Sequence, residues 1–418
     1  MSLAWLSIAA LALAVTLSCT TAVNIGILSL SLALIIGVGF GDMSTAMVLD
    51  GFPTSLFTTL LGVTLLFSIA ECNGTLSRVT ARAVALCRGH AGVLPIMFFM
   101  VGFLISTIGA GATPASALLA PPAMAVAGRA KIPPLLMAVM AGNGVLAGTL
   151  SPFSPTGIVA NGVMDQIGLG GYAWYTFAYN AFAHALVGFG TFFLFGGLKL
   201  FRRHNQDGDI SAAAMDANIL ESMQKQHWIT VAGITVFIIL VAGFSYDVGM
   251  VGIIVATVLV LLKTVDEAEA IKNIPWRVIL MVTGVSVLIA LLNATNGLEL
   301  ITSGIATIAT AETINPIVAF ASGLISVYSS TSGVVLPAFL PMVPSLAEQL
   351  GGMNPLNIAW AMSVNASLVD LSSLSTVGAL YIASAAPGTD TRKFFNALLA
   401  WGMSMTVIGA LISKLMFG

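Results

Sequence analysis

The chain reads as a series of long apolar stretches separated by short polar or glycine-containing turns. They fall at about 2–19, 24–40, 53–71, 93–128, 133–168, 172–198, 228–245, 249–264, 275–293, 315–350, 355–385 and 391–416. A helix needs about 20 apolar residues to cross the bilayer hydrocarbon, so most of these predict one membrane-spanning helix each. Some are too long for one crossing and carry Gly, Pro or Ser near the middle, which predicts breaks. Two shorter segments, 75–88 and 297–310, keep a helical pattern with weaker hydropathy. The first sets Arg78, Arg82 and Arg88 beside Leu76, Val79, Ala83, Val84 and Leu86, as expected of an amphipathic helix lying in the membrane interface. Residues 199–227 form the one long polar loop and divide the chain almost in half.

Composition agrees and removes the alternatives. Of 418 residues, 58% are hydrophobic and only 8% charged, against about 25% charged in soluble domains. The apolar runs do not alternate with polar residues, which excludes a membrane β-barrel. A net charge of −2 with no basic stripe excludes nucleic acid as a partner. Cys19, Cys72 and Cys87 show no metal spacing, and His90, His184, His204 and His227 are too few and too scattered for zinc or haem. Residues 1–23 hold no Lys or Arg, so the first segment reads as a retained spanning helix rather than a cleaved signal.

Charge placement fixes sidedness. With loop 199–227 cytoplasmic, Arg78, Arg82, Arg88, Arg129, Lys131, Lys199, Arg202, Arg203, Lys225, Lys263, Lys272, Arg277, Arg392 and Lys393 all fall on its side, leaving only Lys414 outside. Asp42, Asp50, Asp165, Asp247, Glu299, Glu312 and Glu348 fall opposite. This walk requires 93–128 and 315–350 each to enter and leave by one face, as re-entrant hairpins. The expectation is an all-α polytopic protein of a bacterial inner membrane with both termini periplasmic.

The halves also match each other at an offset of about 220 residues. Leu104-Ile105-Ser106 pairs with Leu324-Ile325-Ser326, Pro121 with Pro341, Asn73-Gly74 with Asn296-Gly297, Gly62 with Gly284, and Gly157 with Gly378. Each half then holds five spans and one hairpin, and an odd number inverts the second copy. The first repeat covers 1–198: scaffold helices in 2–71, interfacial helix 75–88, hairpin 93–128, broken helix 133–168 and helix 172–198. The second covers 228–418: scaffold helices in 228–293, interfacial helix 297–310, hairpin 315–350, broken helix 355–385 and helix 391–416. Inverted repeats with broken helices belong to secondary transporters, with the binding site near the bilayer midplane.

Four polar, glycine-rich places inside the membrane are the candidate site: the hairpin turns at 106–114 and 326–333, and the breaks at 151–157 and 370–376. Unwound backbone is tolerated there only where it is buried in protein or lines a wet cavity. Helix N-termini attract anions, and freed carbonyls with hydroxyls suit a small cation. Ser329, Ser330, Thr331, Thr113, Ser154, Thr156, Ser375 and Thr376 are the substrate candidates. Ser106, Thr107, Gly111, Ser151, Asn143, Asn365, Ser373 and Asp370 are candidates for cation binding or coupling, with sodium sites expected among them. No Arg or Lys lies in these segments, so the expectation is a site made positive by N–H groups, hydroxyls and bound cations alone.

Asp370, the only acid placed deep in a span, reads as a protonated hydrogen-bond donor, a proton carrier, a cation ligand or a structural acid bonded to a neighbouring helix. Asn143 and Asn365 either form the site or join helices, and Tyr328 either meets substrate or fills space. His184 stands alone, without an acidic partner.

Gly51-Phe52-Pro53-Thr54-Ser55, Leu119-Ala120-Pro121, Ser151-Pro152-Phe153-Ser154-Pro155-Thr156-Gly157, Val327-Tyr328-Ser329-Ser330, Gly333-Val334-Val335-Leu336-Pro337 and Ser373-Leu374-Ser375-Thr376 give the chain a further reading. Through them it resembles the divalent anion/sodium symporter family, and within it the MatC-type malonate/dicarboxylate carriers. In that family the hairpin tips carry a Ser-Asn-Thr triplet that binds carboxylate and sodium. Here the outer tip reads Ser329-Ser330-Thr331 and the inner tip departs, as Gly111-Ala112-Thr113. The resemblance implies a homodimer with scaffold and transport domains working by an elevator displacement. It implies no cofactor beyond Na⁺, or H⁺, as the coupling ion. The chain is thus expected to be a dicarboxylate symporter and not an enzyme. The alternatives are a proton-coupled or exchange carrier for another organic anion, a channel, or an intramembrane enzyme.

Overall fold

The computed structural model describes residues 2–21, 23–85, 91–201 and 222–418. Arg88, Arg202 and Arg203 of the charge walk, with Cys87, His90, His204 and most of the 199–227 loop, lie outside these residues, as does the Tyr328 side chain. Among the described residues all regular structure is helical. Five helices are long and apolar enough to cross a membrane: Thr54–Cys72, Ala173–Leu194, Lys225–Gly243, Trp276–Ala294 and Thr391–Phe417. The chain is a multi-pass membrane protein. The remaining apolar helices are shorter, such as the 14-residue Val248–Leu261.

The interruptions come where glycine and hydroxyl residues interrupt the apolar pattern. Leu94–Ile105 runs through a wide turn at Ser106–Ala110 into Ala112–Arg129. The reversal rests on Gly109 (φ 122°) and Gly111 (φ 78°), left-handed conformations that cost a side-chain-bearing residue about 1–2 kcal/mol. Ile314–Tyr328 breaks at Ser329–Ser330, and Thr331–Val335 leads into the short helices Leu336–Phe339 and Val343–Gln349. Pro134–Gly148 stops before Pro155–Gln166, and Pro355–Val369 before Thr376–Ala383. The segment 75–88 is helical over Thr75–Ala85, and 297–310 over Gly297–Ala306.

Three short helices were not expected. Thr45–Leu49 and Glu267–Lys272 start on the side-chain caps of Ser44 and Asp266, and Gly197–Phe201 follows the end of 173–194.

Packing follows the glycines. Gly26 on Ile25–Phe40 touches the backbone of Trp276–Ala294: a Cβ at 26 would lie 1.8 Å from the Leu280 carbonyl oxygen, and one at Gly284 2.0 Å from the Gly26 oxygen. The same approach joins Thr54–Cys72 to Val248–Leu261, where a Cβ at Gly62 would lie 2.3 Å from the Gly249 oxygen. Each interlock pairs a helix from one half with a helix from the other. In a bilayer, where burial from water adds little between helices, such backbone proximity is what drives association. Gly144 similarly admits Phe99, seating Leu94–Ile105 on Pro134–Gly148. Ile314–Tyr328 packs on Pro355–Val369 and Thr391–Phe417.

Candidate substrate and cation site

Both hairpin tips and both helix breaks meet at one cavity of about 500 Å³. Gly109–Pro114 and Ser329–Ser332 supply the tips, Pro155 and Thr156 the first break, and Asp370 with Leu374–Val377 the second. Two spanning helices complete the wall with opposite ends. Thr54–Cys72 gives its C-terminal turns (Thr64, Phe67, Ser68, Glu71), and Trp276–Ala294 its N-terminal ones (Arg277, Val278, Met281).

Around the second break the Ser326, Thr331 and Ser375 hydroxyls are already engaged. Thr331 Oγ1 lies 2.8 Å from Asp370 Oδ1 and 3.0 Å from the Ala366 carbonyl, and Ser326 Oγ lies 2.6 Å from Thr331 Oγ1 and 3.2 Å from Asp370 Oδ1. Ser375 Oγ donates to the Asp370 and Ser372 carbonyls and accepts from Gly378 N–H at 3.1 Å. Ser330 Oγ accepts from Gly333 N–H at 3.1 Å, which caps the return of the hairpin.

The first break differs. Ser151 Oγ donates to the Thr107 carbonyl at 2.6 Å and accepts from Phe153 N–H at 3.1 Å. Ser106 Oγ, Thr107 Oγ1 and Ser154 Oγ are buried without a hydrogen-bond partner, as is Ser373 Oγ in the second break. Unpartnered buried hydroxyls cost about 1–3 kcal/mol each. Ser106 and Thr107 lie in the hairpin turn that Ser151 ties to the first break, where Ser154 lies, and hydroxyl oxygens of this kind suit a hard cation such as sodium.

Of the sequence-predicted residues, Ser329, Ser330, Thr331, Thr113, Thr156, Ser375, Thr376, Gly111 and Asp370 line the cavity. Ser154, Ser106, Thr107, Ser151 and Ser373 are not among its lining residues. Asn143 and Asn365 do not line it and join helices. Asn365 Nδ2 donates to the Ala319 carbonyl between Gly323 and Gly409, both of which a side chain would close.

His184 is not alone, as the sequence suggested. Asn143 Nδ2 donates to the Val139 carbonyl, so Asn143 Oδ1 faces His184 Nδ1 at 2.9 Å, while His184 Nε2 meets Ser367 Oγ at 3.1 Å. Ser367 Oγ in turn lies 3.4 Å from Thr149 Oγ1, in the other broken helix. This fully buried bridge fastens the two broken helices to each other. Alanine at 184 would leave Asn143 Oδ1 unpaired and Ser367 Oγ with Thr149 alone, beside a cavity, at a cost of about 2–5 kcal/mol. The expected result is a lower thermal midpoint in detergent; an unchanged midpoint would count against the bridge.

The expectation of a site without a basic residue is corrected. Arg277, counted from the sequence only as a topological charge, lines the cavity. So does Glu71, a second acid besides Asp370. Both were missed because they lie in spanning helices, outside the four glycine-rich segments.

Residues 1–149 match the family model for the N-terminus of the dicarboxylate carrier protein MatC. This supports a MatC-like membrane carrier and not an enzyme. A search of curated protein sequences finds no significant match. Among solved structures the chain is similar to the Alcanivorax borkumensis YdaH transporter, described as having an unusual topology. The TM-score is 0.60 at 15% identity, over 91% of this chain and 88% of that one. It is also similar to Neisseria gonorrhoeae MtrF, described within a class of antimetabolite efflux pumps, with TM-score 0.61 and 15% identity over 90% and 84%. At that identity the likeness concerns the fold.

Proposed function

We propose that the chain is a secondary carrier for a small dicarboxylate, of malonate or four-carbon type, driven by cation symport across a bacterial inner membrane. One observation carries this reading: two hairpin tips and two helix breaks, from both halves, surround a single hydroxyl-rich cavity. Ser329, Ser330, Thr331, Thr113, Thr156 and Thr376 hold the anion. Ser106, Thr107, Ser151 and Ser154 hold sodium, and Asp370 with its Thr331 and Ser326 donors couples the second hairpin to a bound cation or proton. Sodium would supply positive charge beside the bound carboxylate.

The halves are inverted repeats. Support comes from the cavity receiving the C-terminal end of 54–72 and the N-terminal end of 276–294, helices that the sequence pairs through Gly62 and Gly284. Asn273 and Arg277 are exposed at the cavity and belong to the side rich in basic residues, which supports a cavity facing the cytoplasm and both termini in the periplasm. The hairpins and broken helices move as one transport body against a scaffold of the remaining helices, in a homodimer akin to the divalent anion/sodium symporters.

Uptake of radiolabelled malonate and succinate into proteoliposomes tests this, with sodium and proton gradients imposed separately. Accumulation that follows the sodium gradient is expected. No accumulation under either gradient would overturn the reading.

A further inference from the structure

Arg277 sits where helix physics would not put it. It occupies the first turn of Trp276–Ala294, against the positive end of the helix dipole. Glu71 occupies the last turn of Thr54–Cys72, against the negative end. Each placement is unfavourable by a few tenths to about 1 kcal/mol, and both line the same cavity. Local rules broken together at a cavity mark a functional site. Among the described residues no acidic group pairs with Arg277, so its charge and the helix N-terminus act in the same direction, toward an anion.

The backbone there is held in place. The Arg277 carbonyl accepts from Asn24 Nδ2 at 2.9 Å. Ser68 Oγ donates to the Ala270 carbonyl at 2.6 Å, and Asn273 Nδ2 to Cys72 Sγ at 3.0 Å, tying the segment before Arg277 to the end that bears Glu71. One turn further along the same face, Met281 lies against the second hairpin tip, where a Cβ at Gly333 would fall 2.1 Å from its methyl carbon. Residues four apart stack on one helix face, about 6 Å along the axis. Arg277 is therefore one helical turn from the residue that touches the second hairpin, and it lines the same cavity as the Ser329-Ser330-Thr331 tip.

We infer that Arg277 is the specificity-determining subsite for the second carboxylate of the substrate. Resting on the carrier reading above, this divides recognition in two. The neutral hairpin tips hold one carboxylate through hydroxyls and N–H groups. The guanidinium, whose planar donors match a carboxylate in pairs, holds the other. A monocarboxylate leaves that partner unmet. The cavity thereby selects dianions, although the tips themselves carry no fixed positive charge.

The test compares malonate with monomethyl malonate, which lacks the second charge, as ligands of the purified full-length protein. Arg277→Gln is expected to weaken malonate binding about 10- to 100-fold, the range for a lost hydrogen-bonded charge pair, and to change monomethyl malonate binding less than about twofold. Arg277→Lys, which keeps charge without the paired donors, falls between. Equal weakening of both ligands would overturn the inference, because general attraction at the cavity mouth does not count carboxylates. So would unchanged malonate binding in a monodisperse Arg277→Gln protein. A wild-type protein that binds neither malonate nor succinate removes the carrier reading and this subsite together; wild-type binding with an indifferent Arg277→Gln variant removes the subsite alone.

Discussion

Thr331→Ala is expected to lose dicarboxylate uptake by about 10- to 100-fold while remaining folded and monodisperse. Its hydroxyl stands within hydrogen-bond distance of Asp370 Oδ1, Ser326 Oγ and the Ala366 carbonyl. Two hydroxyl protons, from Thr331 and Ser326, thus serve an acceptor set that includes a carboxylate. Removing one leaves Asp370 with Ser326 alone, at 3.2 Å. A hydrogen bond to a charged group contributes about 1.5–3 kcal/mol, which sets the range. Thr331→Ser keeps the hydroxyl and should retain most of the uptake. Initial-rate uptake in proteoliposomes, normalised to incorporated protein, reads the difference. Equal rates for Thr331→Ala and wild type would remove Thr331 from the site.

Gly284→Val is expected to do more damage, and to the fold rather than to transport. Its Cβ would lie 2.0 Å from the Gly26 carbonyl oxygen and 2.4 Å from its carbon, so two backbones would have to part. Overpacking commonly costs about 1–3 kcal/mol, and more where backbone cannot yield. Fluorescence-detected size exclusion should show aggregate in place of a sharp peak. Gly304→Val, at a position where nothing lies within 4 Å, is the control and should elute as wild type. A sharp Gly284→Val peak would mean that the interlock is not what holds these helices together.

The contrast between these two sites parallels what could be read in the chain. Helices and breaks were legible because they are local: an apolar run is interrupted by residues that free the backbone. Gly157 and Gly378, matched from the sequence, turn out to meet the same demand. A Cβ at either would lie 2.0 Å from the carbonyl of Ser151 or Ser372, where the chain re-enters a helix. The hydroxyls at the tips were legible for the same reason. Arg277 and Glu71 were not, because their meaning is tertiary. Each sits in a spanning helix, and nothing in the sequence around them says that the two helix ends face a hairpin tip. His184 was illegible in the same way, since its partners Asn143 and Ser367 are 41 and 183 residues away. The short helices Thr45–Leu49 and Glu267–Lys272 did carry capping residues, but too few turns for periodicity to register.

The hairpin tips and breaks hold one acid, Asp370, and no Arg or Lys. For the membrane potential this is decisive, since each elementary charge moved across it exchanges about 2.3 kcal/mol per 100 mV. In the elevator displacement proposed above, an empty transport body with a neutralised Asp370 would cross almost without electrical work, whereas the same body with a bare carboxylate would not. Voltage would therefore act on the step in which Asp370 is uncovered, and the resting membrane would set the direction in which an empty carrier waits.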